Sequence, residues 1–453
     1  MDKTTQKLAD YVASLSFDQL PANAVRQAKK CLIDTIGCGI GGYSSEPVAI
    51  ARRIAARNTG QPAASVLGSG ALTSMEMAAF VNTAMVRYLD CNDTFISKGS
   101  GHPSDMIPAC LAVAEAHRAS GKDALVSIAA AYEVFTALAD VVNLREGGWD
   151  QGLFVVLGSA AGAAKLLRLT YEQTGNALAI AVSSNVATRQ TRSGELSMWK
   201  GCATAAATRA GVFAALLAHE GMTGPTAAFE GRHGVWDQVT GPFELGQLGG
   251  GGAAFGIERI NFKYFPSEYH SQAPLWMALD LRNKVRVEEI EAIHVQTYHM
   301  AYSEIGSEPE KWDPQTRETA DHSLPYLLAL ALTDGRITAD SFSPKRMQDP
   351  ALRQLMHRIR IAENPEFTRQ FPSRMVTEIE VQTRGGQRVV ETASYPKGHA
   401  MNPMSDAEVE SKFAGLSENL LTSGRRDSII RALWEVDQAA DIGKVIKLVR
   451  VDK

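Results

Sequence analysis

The most informative part of the sequence is Arg87-Tyr-Leu-Asp90-Cys-Asn92-Asp93-Thr94, which a short Gly- and Ser-rich turn connects to Gly101-His102-Pro103-Ser104-Asp105. It lies at the C-terminal end of residues 75–89, an apolar run with the residue spacing of a helix. The run stops where acids and amides crowd together, which indicates a helix end. Because proline pushes the preceding residue out of the α region, His102 is predicted in extended backbone at a loop edge.

Asp90 and His102 are the predicted catalytic pair. A carboxylate that ends a helix and an imidazole across a short loop can together abstract a proton, or orient the group that does so. The same residues would also suit an ordinary helix C-terminal turn with solvated polar side chains. Spacing alone leaves both interpretations open.

Length and charge restrict the class of protein. A chain of 453 residues exceeds one ordinary core, which predicts two or three domains. The formal net charge of −4 argues against a nucleic-acid partner, which would need a basic face. No signal segment is predicted, because residues 1–7 are polar and charged. Apolar runs such as residues 126–142 contain Glu133 and Asp140 and are judged too short to span a bilayer, so no membrane partner is expected.

The cysteines indicate a reducing compartment, with the cytoplasm as the default location. There are five, without CxxC or other ligand spacing: Cys31, Cys38, Cys91, Cys110 and Cys202. An iron–sulfur cluster needs clustered thiolates, and no HExxH or other paired-histidine motif occurs. We expect no metal and no cofactor, so that side chains carry any chemistry.

The predicted fold class is mainly α: a large all-α helical domain plus a smaller α+β lid domain. Helical spacing runs through residues 4–257 almost without interruption, and abundant Ala and Gly predict close helix packing. Ser405 and Glu408 form a capping box that starts further helices, which are expected to return to the bundle. The helical domain is therefore predicted to comprise residues 1–266 and 401–453.

The lid domain is predicted to comprise residues 267–400. Apolar and polar residues alternate as in strands over 292–298, 375–383 and 388–392. Gly385-Gly386 between the last two predicts a hairpin turn. Helical spacing lies between the strands, over 319–332 and 345–359.

Further segments carry polar residues suited to ligand binding. They are 147–152 with Asp150, 198–201 with Lys200, 262–272 with Lys263, His270 and Gln272, and 320–326 with His322 and Tyr326. A lysine at a helix start opposes the helix dipole unless an anion binds there, which suits a carboxylate site at Lys200. Structural alternatives are a turn residue for Asp150, a solvated surface lysine for Lys200 and an interdomain hinge for 262–272. The glycines at 249–252 lack the Gly-Lys-Ser/Thr of a phosphate loop and are interpreted as a mobile connector.

In their order, these segments resemble the MmgE/PrpD family. The resemblance rests on Asp90-x-Asn-Asp-Thr with His102-Pro-Ser-Asp, on Lys263-x-x-Pro-Ser-Glu-Tyr-His-x-Gln, and on Asp321-His-Ser-x-x-Tyr. A closing motif around Gly398-His399 also resembles the family and is interpreted as structural. One departure stands out: Asp150, or Trp149 with a gap, occupies the place of a family histidine.

The resemblance implies roles for these residues. Lys200 and Lys263 would bind substrate carboxylates, while Thr94, Asp150 and Gln272 would contact or position the substrate. His270 and Tyr326 would protonate a leaving hydroxyl or a carbanion. His322 lies four residues before Tyr326, on the same face if the segment is helical, and would instead anchor the lid.

The resemblance also implies an activity. Family members form a carbanion-like centre beside a carboxylate, and the match around Lys263 favours a dehydratase acting on 2-methylcitrate or a related hydroxy-polycarboxylate. The Asp150 departure keeps an isomerase such as an iminodisuccinate epimerase open, and a cis-aconitate-type decarboxylase is a further alternative. A non-catalytic polycarboxylate-binding protein is the alternative from another class. We expect a cleft between the two domains, and the resemblance implies a homodimer.

Overall fold

The computed structural model describes residues 1–452, apart from the side chain of Ala339, and the chain forms two compact units. Unit 1 comprises Met1–Thr191, Gly201–Ile260 and the segment that begins at Ser405. Unit 2 comprises Arg192–Lys200 and Asn261–Met404.

The segment Arg192–Lys200 belongs to unit 2, whereas the predicted boundaries place it in the helical domain. Hydrogen bonds explain the difference. The Leu196 N–H donates to Thr319 Oγ1 at 3.3 Å, and Thr316 Oγ1 donates to the Leu196 carbonyl at 3.1 Å. That unit 2 acts as a lid stays a prediction.

Helices dominate the described residues, and the mainly α fold class is confirmed. In chain order the helices are α1 (Lys3–Ser14), α2 (Ala22–Gly42), α3 (Glu46–Ala55), α4 (Met75–Tyr88), α5 (Ile107–Ala116), α6 (Gly121–Val141), α7 (Gly152–Leu166), α8 (Tyr171–Ser184), α9 (Trp199–His219), α10 (Gln272–Arg282), α11 (His299–Ile305), α12 (Arg317–Ala320), α13 (Leu324–Asp334), α14 (Pro344–Met347), α15 (Pro350–Met356), α16 (Pro365–Gln370), α17 (Asp406–Ser417), α18 (Ser423–Trp434) and α19 (Gly443–Ile446). The capping box at Ser405 and Glu408 opens α17, as the sequence predicts.

The strands form small sheets. They are β1 (Ala63–Ser65), β2 (Leu72–Ser74), β3 (Phe95–Ile96), β4 (Ser100–Gly101), β5 (Ile290–Thr297), β6 (Ile359–Glu363), β7 (Thr377–Thr383) and β8 (Arg388–Ala393). In unit 1, β1 pairs with β2 and β3 pairs with β4, both antiparallel.

The centre of unit 1 contains α6 and α7. Every residue of α7 except Lys165 is buried, and Ala and Gly make up much of its length. Small side chains let helix backbones approach closely, which is the packing that the composition predicts.

Two helices correct the sequence-based judgement that the apolar runs are too short to cross a membrane. Gly121–Val141 and Trp199–His219 each have 21 residues and are long and apolar enough by composition. In the structure, 83% and 61% of their apolar windows are buried within the protein, as in the core helices of a globular protein.

Unit 2 contains one four-stranded sheet in the order β6-β5-β7-β8. β5 pairs parallel with β6 and antiparallel with β7, and β7 pairs antiparallel with β8. Alternate residues of β7 are buried, and they join residues of β5, α10 and α13 in one hydrophobic core. The predicted hairpin is confirmed, with Gly386 at a φ of +82° in its turn.

The predicted helix over 319–332 is wrong in one respect, because it is broken into α12 and α13. Ser323 caps α13 by accepting a hydrogen bond from the Tyr326 N–H, and Pro325 lies in its first turn. His322 therefore lies in the intervening turn and does not share a helix face with Tyr326. The sequence pattern also did not predict strand β6. The helical spacing of 345–359 continues to Ile359, the first residue of that strand.

Candidate active site

A buried ion pair fixes the loop that follows α4. Asp90 has a φ of +51°, a left-handed conformation that Asp tolerates better than most residues. Its Oδ1 accepts a hydrogen bond from Arg87 Nη1 at 2.6 Å, and both side chains are 1% exposed. The predicted helix end is confirmed. These contacts make Asp90 an anchor of the loop, and its catalytic role stays a prediction.

The side chain of Asn92 connects residues 87–94 to residues 101–105. Its Oδ1 accepts from Arg87 Nη1 at 3.2 Å. Its Nδ2 donates to Ser104 Oγ at 2.8 Å and to Asp105 Oδ1 at 2.9 Å. The loop after α4 and the turn that begins at Pro103 are thus one hydrogen-bonded unit rather than solvated caps.

His102 is held at its ring and at its backbone. Its φ of −122° and ψ of +87° lie outside the α region, as the following proline predicts. The ring Nδ1 lies 2.7 Å from the Asp93 carbonyl oxygen. Because a carbonyl only accepts, Nδ1 carries the proton, and the neutral ring has its lone pair on Nε2. This is the tautomer that a general base needs at Nε2.

Asp93 is a buried carboxyl that the sequence interpretation passes over. Its Oδ1 accepts from the Ser104 N–H at 2.9 Å and from Ser104 Oγ at 2.5 Å, and its Oδ2 accepts from the Tyr132 hydroxyl at 2.7 Å. Burial raises the pKa of Asp93 to about 7, against the opposing effect of these hydrogen bonds.

Gln151, the residue after Asp150, contacts His102 in this structure. Gln151 Oε1 accepts from the His102 N–H at 2.5 Å. Gly101 makes room for this amide, since a Cβ at that position would lie 2.0 Å from Gln151 Oε1. Asp150 is buried and accepts from the Gly152 N–H at 3.2 Å, which fits the turn interpretation. Its predicted contact with substrate stays a prediction.

Thr94 immediately precedes β3. Its hydroxyl is buried and donates to the Gly101 carbonyl at 3.1 Å, one residue before His102. The contact stabilises the loop that carries His102. Its predicted role in positioning substrate stays a prediction.

The side chain of Glu133 binds backbone N–H groups at the glycine-rich segment of unit 1. Glu133 Oε1 accepts from the Gly249 N–H at 2.8 Å, and Oε2 accepts from the Gly256 N–H at 2.7 Å. Burial raises the pKa of Glu133. The carboxylate thus occupies two of the loop's N–H groups, which supports the connector interpretation over a phosphate site.

Lys200 of unit 2 is paired with a buried acid. Its Nζ lies 2.8 Å from Asp321 Oδ1, and Arg317 Nη1 lies 3.0 Å from Asp321 Oδ2. His322 Nδ1 lies 2.6 Å from Asp321 Oδ1. Burial acts to raise the pKa of Asp321, but Lys200 and His322 outweigh it and hold that pKa below its usual value. Lys200 is therefore not the solvated surface lysine of the structural alternative.

Gln272 holds the turn that follows Lys263. Its Oε1 accepts from the Tyr264 and Phe265 N–H groups at 2.9 and 3.0 Å. Its Nε2 donates to the Phe265 carbonyl at 3.1 Å and to Ser267 Oγ at 3.1 Å. These contacts position the loop, and the predicted contact of Gln272 with substrate stays a prediction. Lys263 itself is 1% exposed.

His270 has a phenol beside it that the sequence interpretation missed. His270 Nδ1 lies 2.5 Å from the Tyr298 hydroxyl, and the His270 N–H donates to Glu268 Oε2 at 2.6 Å. Burial raises the pKa of Tyr298, so the phenol stays neutral and can share a proton with the imidazole.

Tyr326 is packed among apolar residues of unit 2. It is fully buried in the hydrophobic core of unit 2, and its hydroxyl donates to the Ser341 carbonyl. Burial also raises its pKa. These contacts are those of a core residue, and the predicted catalytic role of Tyr326 stays a prediction.

The residues that sequence reasoning missed are Asp93, Tyr132, Gln151 and Tyr298. Asp93 lies within residues 87–94, so its acidic side chain could have been predicted from the sequence as a site residue. Tyr132 lies 39 residues from Asp93, and Gln151 lies 49 residues from His102. Tyr298 lies 28 residues from His270. No local pattern in the sequence joins these pairs.

This mainly helical chain has the features of an acid–base enzyme. They are a histidine of fixed tautomer, a buried carboxyl that titrates near neutrality and buried lysines. Comparison with known families is consistent with this class. Residues 6–248 match the MmgE/PrpD N-terminal domain, and residues 265–436 match the MmgE/PrpD C-terminal domain. The chain belongs to the MmgE/PrpD family, as the motifs predict.

Similar proteins carry the names of lyases. The chain is 27% identical to a mitochondrial 2-methylcitrate dehydratase of Yarrowia lipolytica, covering 99% of this chain and 90% of that protein. It is 28% identical to a 2-methylcitrate dehydratase of Escherichia coli (strain K12), covering 88% of this chain and 86% of that protein. It is 23% identical to a cis-aconitate decarboxylase of Mus musculus, covering 99% of this chain and 94% of that protein.

Proposed function

We propose that this protein is a carbon–oxygen lyase that removes water from a hydroxy-polycarboxylate, with 2-methylcitrate as the first candidate. The observation that carries the proposal is the 2.7 Å contact between His102 Nδ1 and the Asp93 carbonyl, which leaves Nε2 as the basic nitrogen. The relatives named 2-methylcitrate dehydratase support the substrate class.

In the proposed reaction, His102 Nε2 takes a proton from the carbon beside a substrate carboxylate. The electron pair of that C–H bond forms a double bond to the adjacent carbon. The hydroxyl on that carbon receives a proton and leaves as water, so an unsaturated polycarboxylate is the product. His270, with Tyr298 at 2.5 Å, is the proposed source of that proton.

We propose that Lys200 and Lys263 bind the carboxylates of the substrate. Both are buried cations, and a buried cation attracts an anion more strongly than a solvated one does. A carboxylate at Lys200 would share the ammonium with Asp321. The scattered cysteines support a reaction carried by side chains.

Two related reactions start from the same carbanion-like centre. Relatives named cis-aconitate decarboxylase favour loss of carbon dioxide as a second candidate. Asp150, at the place of a family histidine, keeps epimerisation open as a third candidate.

The experiment is proton NMR of chelator-treated protein in deuterated buffer with 2-methylcitrate, citrate, cis-aconitate and freshly prepared iminodisuccinate. A vinylic or methyl signal from an unsaturated product of a hydroxy acid is the expected result. Deuterium entry without net consumption would replace the proposal with epimerisation, and carbon dioxide release would replace it with decarboxylation.

A matched sample of the His102→Gln variant controls for contaminating enzymes. Unchanged spectra together with saturable binding of a polycarboxylate, measured by calorimetry, would establish the non-catalytic binding protein instead. Activity that is lost with the chelator and restored by a metal would contradict chemistry by side chains alone.

A further inference from the structure

We propose that Asp93 is a positioning residue for His102: its carbonyl sets the tautomer of the ring, and its carboxyl locks the loop that presents the ring. The inference deepens the proposed function, in which His102 Nε2 is the base. Neither the motif resemblance nor the relatives assign a role to Asp93.

The first step is the ring contact. His102 Nδ1 lies 2.7 Å from the Asp93 carbonyl oxygen. A histidine in water exchanges its proton between two nitrogens, whereas a fixed acceptor at Nδ1 selects one tautomer. The backbone of Asp93 therefore determines which nitrogen of His102 is basic.

The second step is the carboxyl of the same residue. Oδ1 receives the N–H of Ser104 at 2.9 Å and its hydroxyl at 2.5 Å. Ser104 is two residues beyond His102. The carbonyl of Asp93 therefore contacts the His102 ring, and its carboxyl binds the backbone and side chain of a residue just after it. A shift of the carboxyl would move the carbonyl relative to the ring.

The third step is the link to the core of unit 1. The Tyr132 hydroxyl donates to Asp93 Oδ2 at 2.7 Å, and Tyr132 lies on α6 with no exposed surface. The loop therefore takes its position from a buried helix. Gln151 holds the His102 N–H independently, at 2.5 Å, so the ring contact is the part that depends on Asp93.

The test compares the variants Asp93→Ala and Asp93→Asn with the unmodified protein. Asparagine keeps an acceptor for Ser104, whereas alanine removes it. Nitrogen-15 NMR of histidine-labelled protein reports the tautomer, and the His102 signals are identified by their absence in His102→Gln. We expect one tautomer, protonated at Nδ1, in the unmodified protein and in Asp93→Asn, and a mixture in Asp93→Ala.

Turnover supplies the second readout. With the hydroxy acid that the NMR panel identifies, we expect kcat of Asp93→Ala to fall by roughly 100-fold, the scale of a misplaced catalytic group, with KM nearly unchanged. A merely structural role would lower the thermal midpoint and leave the tautomer as it is. A folded Asp93→Ala protein with an unchanged tautomer, or equal effects of alanine and asparagine, would overturn the proposal.

If Asp93→Ala does not fold, Tyr132→Phe removes the hydrogen bond to Oδ2, together with the contact between the Tyr132 hydroxyl and Cys31, and leaves the Asp93 side chain in place. A partial shift of the His102 tautomer would then support the proposal, and an unchanged tautomer would refute it. The nitrogen spectrum needs no substrate. Failure of the proposed reaction and failure of the positioning role are therefore separate results.

Discussion

At the scale of single residues, His102 gives the first prediction. Replacing it by glutamine should lower kcat by about 100- to 10,000-fold, the usual contribution of a general base, with the far-ultraviolet circular dichroism unchanged. His117→Gln is the matched control, since His117 is an exposed histidine to which no role is assigned. A near-normal rate in His102→Gln would remove His102 from the mechanism.

The buried carboxyl of Asp93 gives a prediction for stability against pH. Its folded pKa of about 7 lies above the ordinary value of 3.8, so the folded protein binds the extra proton between those values. This group therefore stabilises the fold less as pH rises from about 4 to 7. Asp93→Asn has no carboxyl to titrate at this position. Its free energy of unfolding should therefore increase, relative to that of the unmodified protein, as pH rises over that range.

Urea denaturation of both proteins at pH 5 and pH 8 measures the difference. Cys31, Asp34 and Tyr132 of the neighbouring helices α2 and α6 are the titratable groups around this carboxyl. Tyr132→Phe removes a hydrogen bond that lowers the pKa of Asp93, so it should move the transition to higher pH. A difference that is flat with pH would contradict the assignment.

The sequence alone predicted the backbone conformation of His102 but not its contacts. Pro103 restricts the backbone of His102 through a local steric effect, which one dipeptide reveals. The contacts of Asp93 with Tyr132 and of His102 with Gln151 depend on tertiary packing. The burial of Tyr326 in a hydrophobic core was likewise not visible in its motif.

At the scale of secondary structure, the turn at Gly398 gives a prediction. Gly398 has a φ of +96°, and a Cβ there would lie 2.2 Å from the Phe262 carbonyl oxygen. Gly398→Ala should cost more than the ~1–2 kcal/mol of left-handed backbone strain, because backbone must also move. Gly386→Ala is the control, since Gly386 has a φ of +82° and a Cβ there would have open space within 4 Å.

The measurement is the urea midpoint of unfolding for both variants. We expect a clear loss for Gly398→Ala and a smaller one for Gly386→Ala. Equal losses would mean that the contact with Phe262 adds nothing to the cost of the backbone conformation.

Periodicity predicted the long elements and failed at short ones. β7 alternates buried and partly buried residues along its whole length, so its pattern was visible. β6 is mostly exposed beyond Ile359 and offers no alternation to detect. The break between α12 and α13 depends on the cap at Ser323, a local signal that the apolar pattern of the region hides.

At the scale of the whole molecule, Lys412 of α17 gives a prediction. Its Nζ donates to Asp34 Oδ1 and, at 2.6 Å, to the carbonyl of Cys91, which follows Asp90. Lys412→Met removes one partner of a buried ion pair and should cost about 3–5 kcal/mol of unfolding free energy.

The matched control is Lys29→Met, since Lys29 pairs with Asp437 at 2.7 Å nearer the surface. That change should cost about 1 kcal/mol or less. Urea denaturation gives both values, and comparable losses would show that the buried pair has no special weight. Activity of Lys412→Met at a temperature where it is folded reports whether the Cys91 contact also supports the loop.

We propose that the protein is a homodimer. Phe213 on α9 is 52% exposed, and Met222 just beyond the helix is 51% exposed, which is unusual for large apolar side chains so close in the chain. Sedimentation equilibrium should give the mass of a dimer, and Phe213→Lys should shift it towards the monomer. Leu448→Lys, at another exposed apolar position, is the control. A monomer mass at all concentrations would contradict the proposal.

The return of the segment after Ser405 to unit 1 has a consequence for biosynthesis. The ribosome makes Asp90, Asp93 and His102 early, but the lysine that holds the Cys91 carbonyl follows 321 residues later. Every residue of unit 2 up to Met404 is translated in between. The loop after α4 therefore gains this buried contact only after unit 2 has been synthesised, so a nascent chain completes the packing of that loop late.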